Sequence, residues 1–338
     1  MTDTIEASTP FQTPTAVTTA RSMRLRRALM NYAGVGTVLV AMCVYLSITE
    51  EKFLTSETAR IILENNALLA ITAIGLTFVL LVGGFDLSVG GVFVMSAVLL
   101  SVLIKRGVPV GLAMVLVVVG VTLLSLAVNG VLIGKVGLSF LVVTLGTASV
   151  YTGAALVWTK GQSKSLATER FLVKLGQGRL GPVPWLVLVA GTLFVLAILV
   201  LRYTGYGRMI YAVGGNPEAA RLAGINVIAV RMSVWAIAGC FAAIAGVLGV
   251  ARLTTASPTS NSDIALRAGA AVLLGGTSFM GGRGTMFGTL LGTLFLGVLS
   301  YGITARGVSA FWQGIVSGAV LVLAALLDRL RHRGAVRA

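Results

Sequence analysis

Charge is scarce in these 338 residues. Only 11% are Asp, Glu, Lys or Arg and 57% are hydrophobic, against about 25% charged residues in soluble domains, which excludes an ordinary soluble chain. Histidine occurs once, as His332 in a basic tail, leaving no His-based triad, metal cluster or general base within the apolar stretches. Cys43 and Cys240 are the only cysteines, and both lie in apolar segments without CxxC spacing. They read as packing residues rather than a metal site or a disulfide framework. No G-x-x-x-x-G-K-[ST] phosphate loop occurs, and the nearest approach, "GKV" at Gly134 to Val136, lacks the hydroxyl residue and the spacing. Within the apolar stretches a proton or sodium relay has few candidates beyond Asp86 and Glu64. No catalytic residue, no metal ligand and no cofactor site of this chain's own follow, so the reading is not an enzyme.

What is present is apolar length. Stretches of roughly 18 to 25 residues recur along the chain, the length an α-helix needs to cross about 30 Å of hydrocarbon. The expected fold is all-α, a polytopic transmembrane bundle of about ten helices, because helices satisfy their own backbone hydrogen bonds in lipid. The spans are expected near 28–48, 63–83, 87–104, 110–134, 139–158, 184–202, 231–251, 264–281, 285–303 and 310–327. Arg21, Arg24, Arg26 and Arg27 precede the first, and Arg329, Arg331, Arg333 and Arg337 follow the last. The positive-inside rule sets both clusters in the cytoplasm, in agreement with an even count. Residues 1–27 read as a disordered basic tail rather than a cleavable signal, 28–328 as the permeation domain with a cytoplasmic loop at 203–230, and 329–338 as a second basic tail. One segment pulls against the scheme: 159–183 is external in it, yet carries Lys160, Lys164, Arg170, Lys174 and Arg179. The net charge of +15 forms no stripe with interleaved aromatics, so membrane topology explains it better than nucleic acid.

Three stretches carry local signals. In "LLVGGFDLSVGG", Leu80 to Gly91, Asp86 is the only charge between Ala67 and Ile104, a run too long for one crossing. The chain therefore turns at Gly83 and Gly84. Asp86, followed by Leu87, Ser88 and Gly90, reads as a helix cap accepting amide hydrogens from Ser88 or Val89; a pathway acid or a contact with a partner subunit are the rival readings. In "GYGRMIYAVGGNPEAARLAGINV", Gly205 to Val227, Gly214 and Gly215 lead to Asn216 as cap, Pro217 at the first position, Glu218 and Arg221 complementing the dipole, and Gly224 at the C-terminus. So short a helix needs support. It either docks on its own membrane domain or inserts into a groove on a cytoplasmic partner through Ala219, Ala220, Leu222 and Ala223. In "GGTSFMGGRGTMFGTLLGTLFLG", Gly284, Gly288 and Gly292 are expected on one helical face for a close helix contact, internal or between subunits. The mild polar residues Asn65, Asn66, Asn129, Thr144, Thr147, Thr289, Thr293 and Gln313 suit a neutral polyhydroxylated solute or interhelical bonding; the first five are the candidate substrate pathway.

On "ENNALLAITAIGLTFVLLVGGFDLSVGG", "YAVGGNPEAARLAGINV" and "LLGGTSFMGGRGTMFGTLLGTLFLGVLSYG", found in that order, the chain from about Ala28 to Leu330 resembles the permease subunits of ribose-type bacterial ABC sugar importers. The resemblance implies a multi-pass protein of the bacterial inner membrane, a second permease copy, and a cytoplasmic ATP-binding subunit that holds ATP and Mg and docks on the 216–224 helix. It also implies a periplasmic sugar-binding protein that delivers a monosaccharide, ribose-like or related. A branched-chain amino acid permease is the near alternative, a stand-alone secondary transporter the far one. The chain departs from the family pattern at "ALRAGAA", Ala265 to Ala271, with Arg267 falling where a polar or acidic residue is common and Asp263 lying upstream.

Overall fold

The computed structural model describes residues 34–260, 263–309 and 312–336. Arg21, Arg24, Arg26, Arg27 and Arg337, the 1–27 tail and the start of the first expected span lie outside the described residues. Helices α1 (Gly34–Thr49), α2 (Ser56–Leu81), α3 (Ser88–Lys105), α4 (Val110–Lys135), α5 (Phe140–Thr159), α6 (Arg170–Gln177) and α7 (Trp185–Tyr203) come first. They are followed by α8 (Gly205–Gly215), α9 (Pro217–Leu222), α10 (Val227–Leu253), α11 (Ile264–Leu274), α12 (Met286–Ala305) and α13 (Trp312–Val336). Seven of these are long and apolar enough to cross a membrane, and α1, α11 and α13 contribute shorter apolar runs. The protein is an all-α polytopic bundle.

The centre of the bundle is α2, α3 and α10, whose apolar windows are mostly covered by protein, with α10 packed against α2, α3 and α4. Small residues set those distances. A side chain on Gly75 would meet the Ala238 backbone of α10 at 2.9 Å, and one on Gly246 would overlap the Phe93 carbonyl of α3. The outer helices α4, α5 and α7 instead leave Val115, Val119, Val142, Val150, Val157, Leu196 and Leu199 uncovered, an apolar surface that suits lipid. The second half of α4, Leu126–Lys135, winds as a π-helix, with Gly130 and Gly134 against Met232 of α10.

The expected span at 264–281 is helical only in its first part. Helix α11 stops at Leu274, about 16 Å of helix at 1.5 Å per residue, and residues 275–285 form a loop with Gly276, Gly281 and Gly282 at positive φ. Short helix and buried loop together run from the Arg267 end of the bundle to the Leu81 end. The connection 159–183, expected as an external basic loop, contains α6 and short strands: Lys164–Ser165 pairs antiparallel with Thr255–Ala256, and Arg179–Leu180 with Val183–Pro184. Helix α6 lies on the end of α10, where a side chain on Gly176 would overlap the Ala251 carbonyl.

Candidate functional site

Three loops meet at one end of the bundle. The α2–α3 turn begins where Gly83, at φ 81°, lets its own amide reach Leu80 O (2.9 Å) and that of Gly84 reach Val79 O (3.0 Å), closing α2. Gly84 rests on the indole of Trp235, and Phe85 stacks on Phe279 with centroids 5.8 Å apart. Asp86 is 1% exposed; its Oδ1 accepts the Ser88 amide (2.8 Å) and the Ser88 hydroxyl (2.5 Å). Ser88 Oγ in turn accepts from Asn129 Nδ2 of α4 at 2.7 Å. The acid thus ties the first turn of α3, though from one residue before the flanking Leu87, and it bonds Ser88 and not Val89. Leu87 is half-buried and Gly90 fully buried.

The second loop builds a platform that sequence reasoning missed. Thr204 caps α8, its hydroxyl accepting from Gly207 N (3.1 Å). Tyr206 meets Ser233 of α10 at 2.6 Å, Tyr211 donates to Gly284 O at 2.9 Å, and Ile210 and Val213 are buried beneath. The spacing of Tyr206, Met209, Ile210 and Val213 is the helical signal that was available; the four glycines of Gly205–Gly215 obscured it. Burial holds the Tyr206 hydroxyl pKa above its ordinary value, with the Ser233 bond acting the other way.

Helix α9 stands on that platform. Asn216 Oδ1 accepts from the Glu218 and Ala219 amides, both at 3.0 Å, Pro217 takes the first position, and Gly224 at φ 82° lets Ile225 N reach Ala220 O at 3.0 Å. Arg221 donates to Glu218 at 2.5 and 3.1 Å. Only Ala220 is buried; Pro217, Glu218, Ala219, Arg221, Leu222 and Ala223 face outward, and Leu222 is 78% exposed.

The third loop, 275–285, closes the joint. Gly282 N donates to Leu81 O at 2.8 Å. A side chain on Gly214 would overlap Leu81 O and lie 2.7 Å from Gly282 N, one on Gly281 would stand 2.8 Å from Gly83 N, and one on Gly282 2.8 Å from Gly215 Cα. Main chain touches main chain in all three loops. Here the glycine stripe is corrected: Gly284 precedes α12 at φ 150°, and Thr285 caps that helix by accepting from Gly288 N (3.1 Å). Gly288 and Gly292 do mark a close contact, with α11, because side chains on Gly275 and Gly292 would overlap the carbonyls of Gly288 and Ala271.

Of the pathway candidates, Asn65 and Asn66 line one cleft, and Asn129, Thr144 and Thr147 are not among its lining residues. Asn66 donates to Thr293 O (2.7 Å) and Asn129 to Ser88, so both tie elements together. Thr144 is fully buried, and Thr147 bonds Val143 O (2.9 Å) on its own helix. Asn65 lies far from Asn129, bonded to Arg252 at the opposite end from α9.

Residues 59–325 match the family described as branched-chain amino acid transport system / permease component. The chain is 39% identical over 294 residues to the ribose import permease of Bacillus subtilis (strain 168), covering 86% of this chain and 90% of that one. It is 33% identical over 309 residues to the L-arabinose ABC transporter permease of Azospirillum brasilense (90% and 89%). It is 33% identical over 286 residues to the fructose import permease of Rhizobium meliloti (82% and 79%). No solved structure matches the chain.

Proposed function

The chain belongs to the family of branched-chain amino acid transport system permease components, and from that premise we propose that it is the membrane-spanning permease subunit of an ATP-binding-cassette importer for a monosaccharide. It is a multi-pass protein of the inner membrane and not an enzyme. Relatives named for ribose, arabinose and fructose import support the sugar. The family description itself favours a branched-chain amino acid as the second reading.

One observation carries the coupling role: α9 is capped at both ends yet leaves five of its six residues uncovered, on a base wedged by main-chain contacts between the α2–α3 turn and the 275–285 loop. Six residues do not hold a helix in water by propensity; the caps and the α8 platform do. In this proposal α9 enters a groove of a cytoplasmic ATPase, which binds ATP and Mg and hydrolyses the nucleotide. Movement of α9 passes through Gly214 and Gly215 to Leu81 and Gly282, where no side chain is interposed to absorb it. A second permease copy completes the pathway, a periplasmic binding protein delivers the sugar, and ten crossings place both termini in the cytoplasm, with 203–230 as the coupling loop.

Replacing residues 216–221 by a flexible Gly-Ser linker, or Gly224→Pro, leaves membrane insertion intact and abolishes co-purification with the ATPase. Undiminished recovery of the ATPase refutes the coupling role. Uptake of labelled sugars against labelled leucine through the assembled importer separates the two solute classes.

A further inference from the structure

At the end of the bundle opposite α9, a cleft of ≈ 380 Å³ opens among α2, α10, α11, α12 and α13, within the usual range for small-molecule sites of about 300–1,000 Å³. Its lining is polar to an extent unusual for this chain: Asn65, Asn66, Arg252, Arg267, Tyr301 and Gln313 all reach it. Asn66, 6% exposed, lies at the floor, held by its bond to Thr293 O. Such depth suits a small molecule better than the side of a docked protein.

The charge in the cleft is unbalanced. Arg252 bonds Asn65 and makes no ion pair among the described residues. Arg267 makes no ion pair and no side-chain hydrogen bond among the described residues; the main-chain carbonyl of Asp263, one turn earlier, accepts its amide at 3.1 Å. Arg267, half-buried and surrounded by amides and hydroxyls, matches an anion that carries hydroxyl groups. A guanidinium grips a carboxylate with two parallel hydrogen bonds, and the hydroxyls and amides around it exchange hydrogen bonds with a sugar ring.

We propose that this cleft recognises a carboxylated monosaccharide, a sugar acid, with Arg267 as the carboxylate anchor and Asn65, Tyr301 and Gln313 on its hydroxyls. The inference rests on the sugar-permease reading and narrows its substrate class.

The test is calorimetric titration of the purified full-length permease with D-galacturonate, D-galactose and L-leucine. Galacturonate binds saturably, galactose at least tenfold more weakly, and leucine not at all. Arg267→Gln weakens galacturonate at least tenfold, and Arg267→Lys, which keeps the charge without the fork, weakens it less; size-exclusion profiles establish that both variants fold. Equal binding of galactose and galacturonate, binding of leucine in their place, no binding of galacturonate, or its unchanged binding to Arg267→Gln overturns the inference. So does phosphatidylglycerol retained by the wild type, lost from Arg267→Gln and displacing galacturonate, since the cleft is then a lipid headgroup site. If galacturonate fails while neutral sugar uptake and ATPase co-purification survive, only this inference falls; loss of the latter two removes the permease reading itself.

Discussion

Gly214 and Arg306 stand at opposite ends of the bundle and hold it by opposite means. Around Gly214 the carbonyl of Leu81, the amide of Gly282 and the backbone of Gly215 lie in contact, and no side chain intervenes. Around Arg306 the gaps are spanned by side chains: an ion pair to Glu50 at 2.8 Å and a guanidinium 5.3 Å from the Tyr45 ring centroid. Interiors packed to crystal density transmit displacement, whereas long side chains re-orient in place. The glycine-closed end is therefore built to pass on a push, and the other end leaves room for the polar cleft.

The sharpest way to break the contrast is Gly214→Val. The new side chain has backbone on two sides, so overpacking at the upper end of the usual range, about 3 kcal/mol, is expected, with loss of ATPase co-purification. A thermal midpoint in detergent equal to wild type would mean that the joint is loose. Asp86→Leu comes next: it strips the Ser88 amide of its buried acceptor, at about 1–3 kcal/mol, and lowers folded yield, while Asp86→Asn keeps most of both yield and uptake. Normal yield of Asp86→Leu with uptake lost would assign the acid to the pathway instead. Gly224→Ala asks a β-carbon to take φ 82°, at about 1–2 kcal/mol confined to α9; it reduces recovery of the ATPase more than it shifts the global midpoint, and the reverse pattern would contradict a local role. The smallest effect belongs to the other end. Arg306→Ala removes a partly exposed pair worth less than about 1 kcal/mol, and a midpoint change as large as that of Gly214→Val would erase the distinction between the ends.

Much of this architecture was legible in the order of residues. The cap of α9 was readable from Asn216, Pro217 and Gly224 because capping is local chemistry within four or five residues. That a turn interrupts 67–104 followed from length, and the glycine pair placed it at Gly83. The end of α11 at Leu274 was not readable: hydropathy averages over Gly275 and Gly276 and registers apolarity, which a buried loop shares with a helix. Helix α8 was hidden for the related reason that its glycines oppose helix formation by about 1 kcal/mol each, a penalty that packing of Tyr206, Ile210 and Val213 overrides. Gly284 followed the four-residue spacing yet fell outside α12, since Thr285 supplied the cap one position later.

Sequence by itself thus determined the membrane habit, the positions of most helices and the capped hairpins, all consequences of hydrophobic length and short-range hydrogen bonding. Only the tertiary structure decided that the 81–87, 205–215 and 275–285 segments share one joint, and that Arg252, from α10, and Arg267, from α11, enter one cleft with Asn65, 187 residues away from Arg252 along the chain. Such meetings depend on which helix faces close over which glycines, a property of three-dimensional packing that no local spacing encodes.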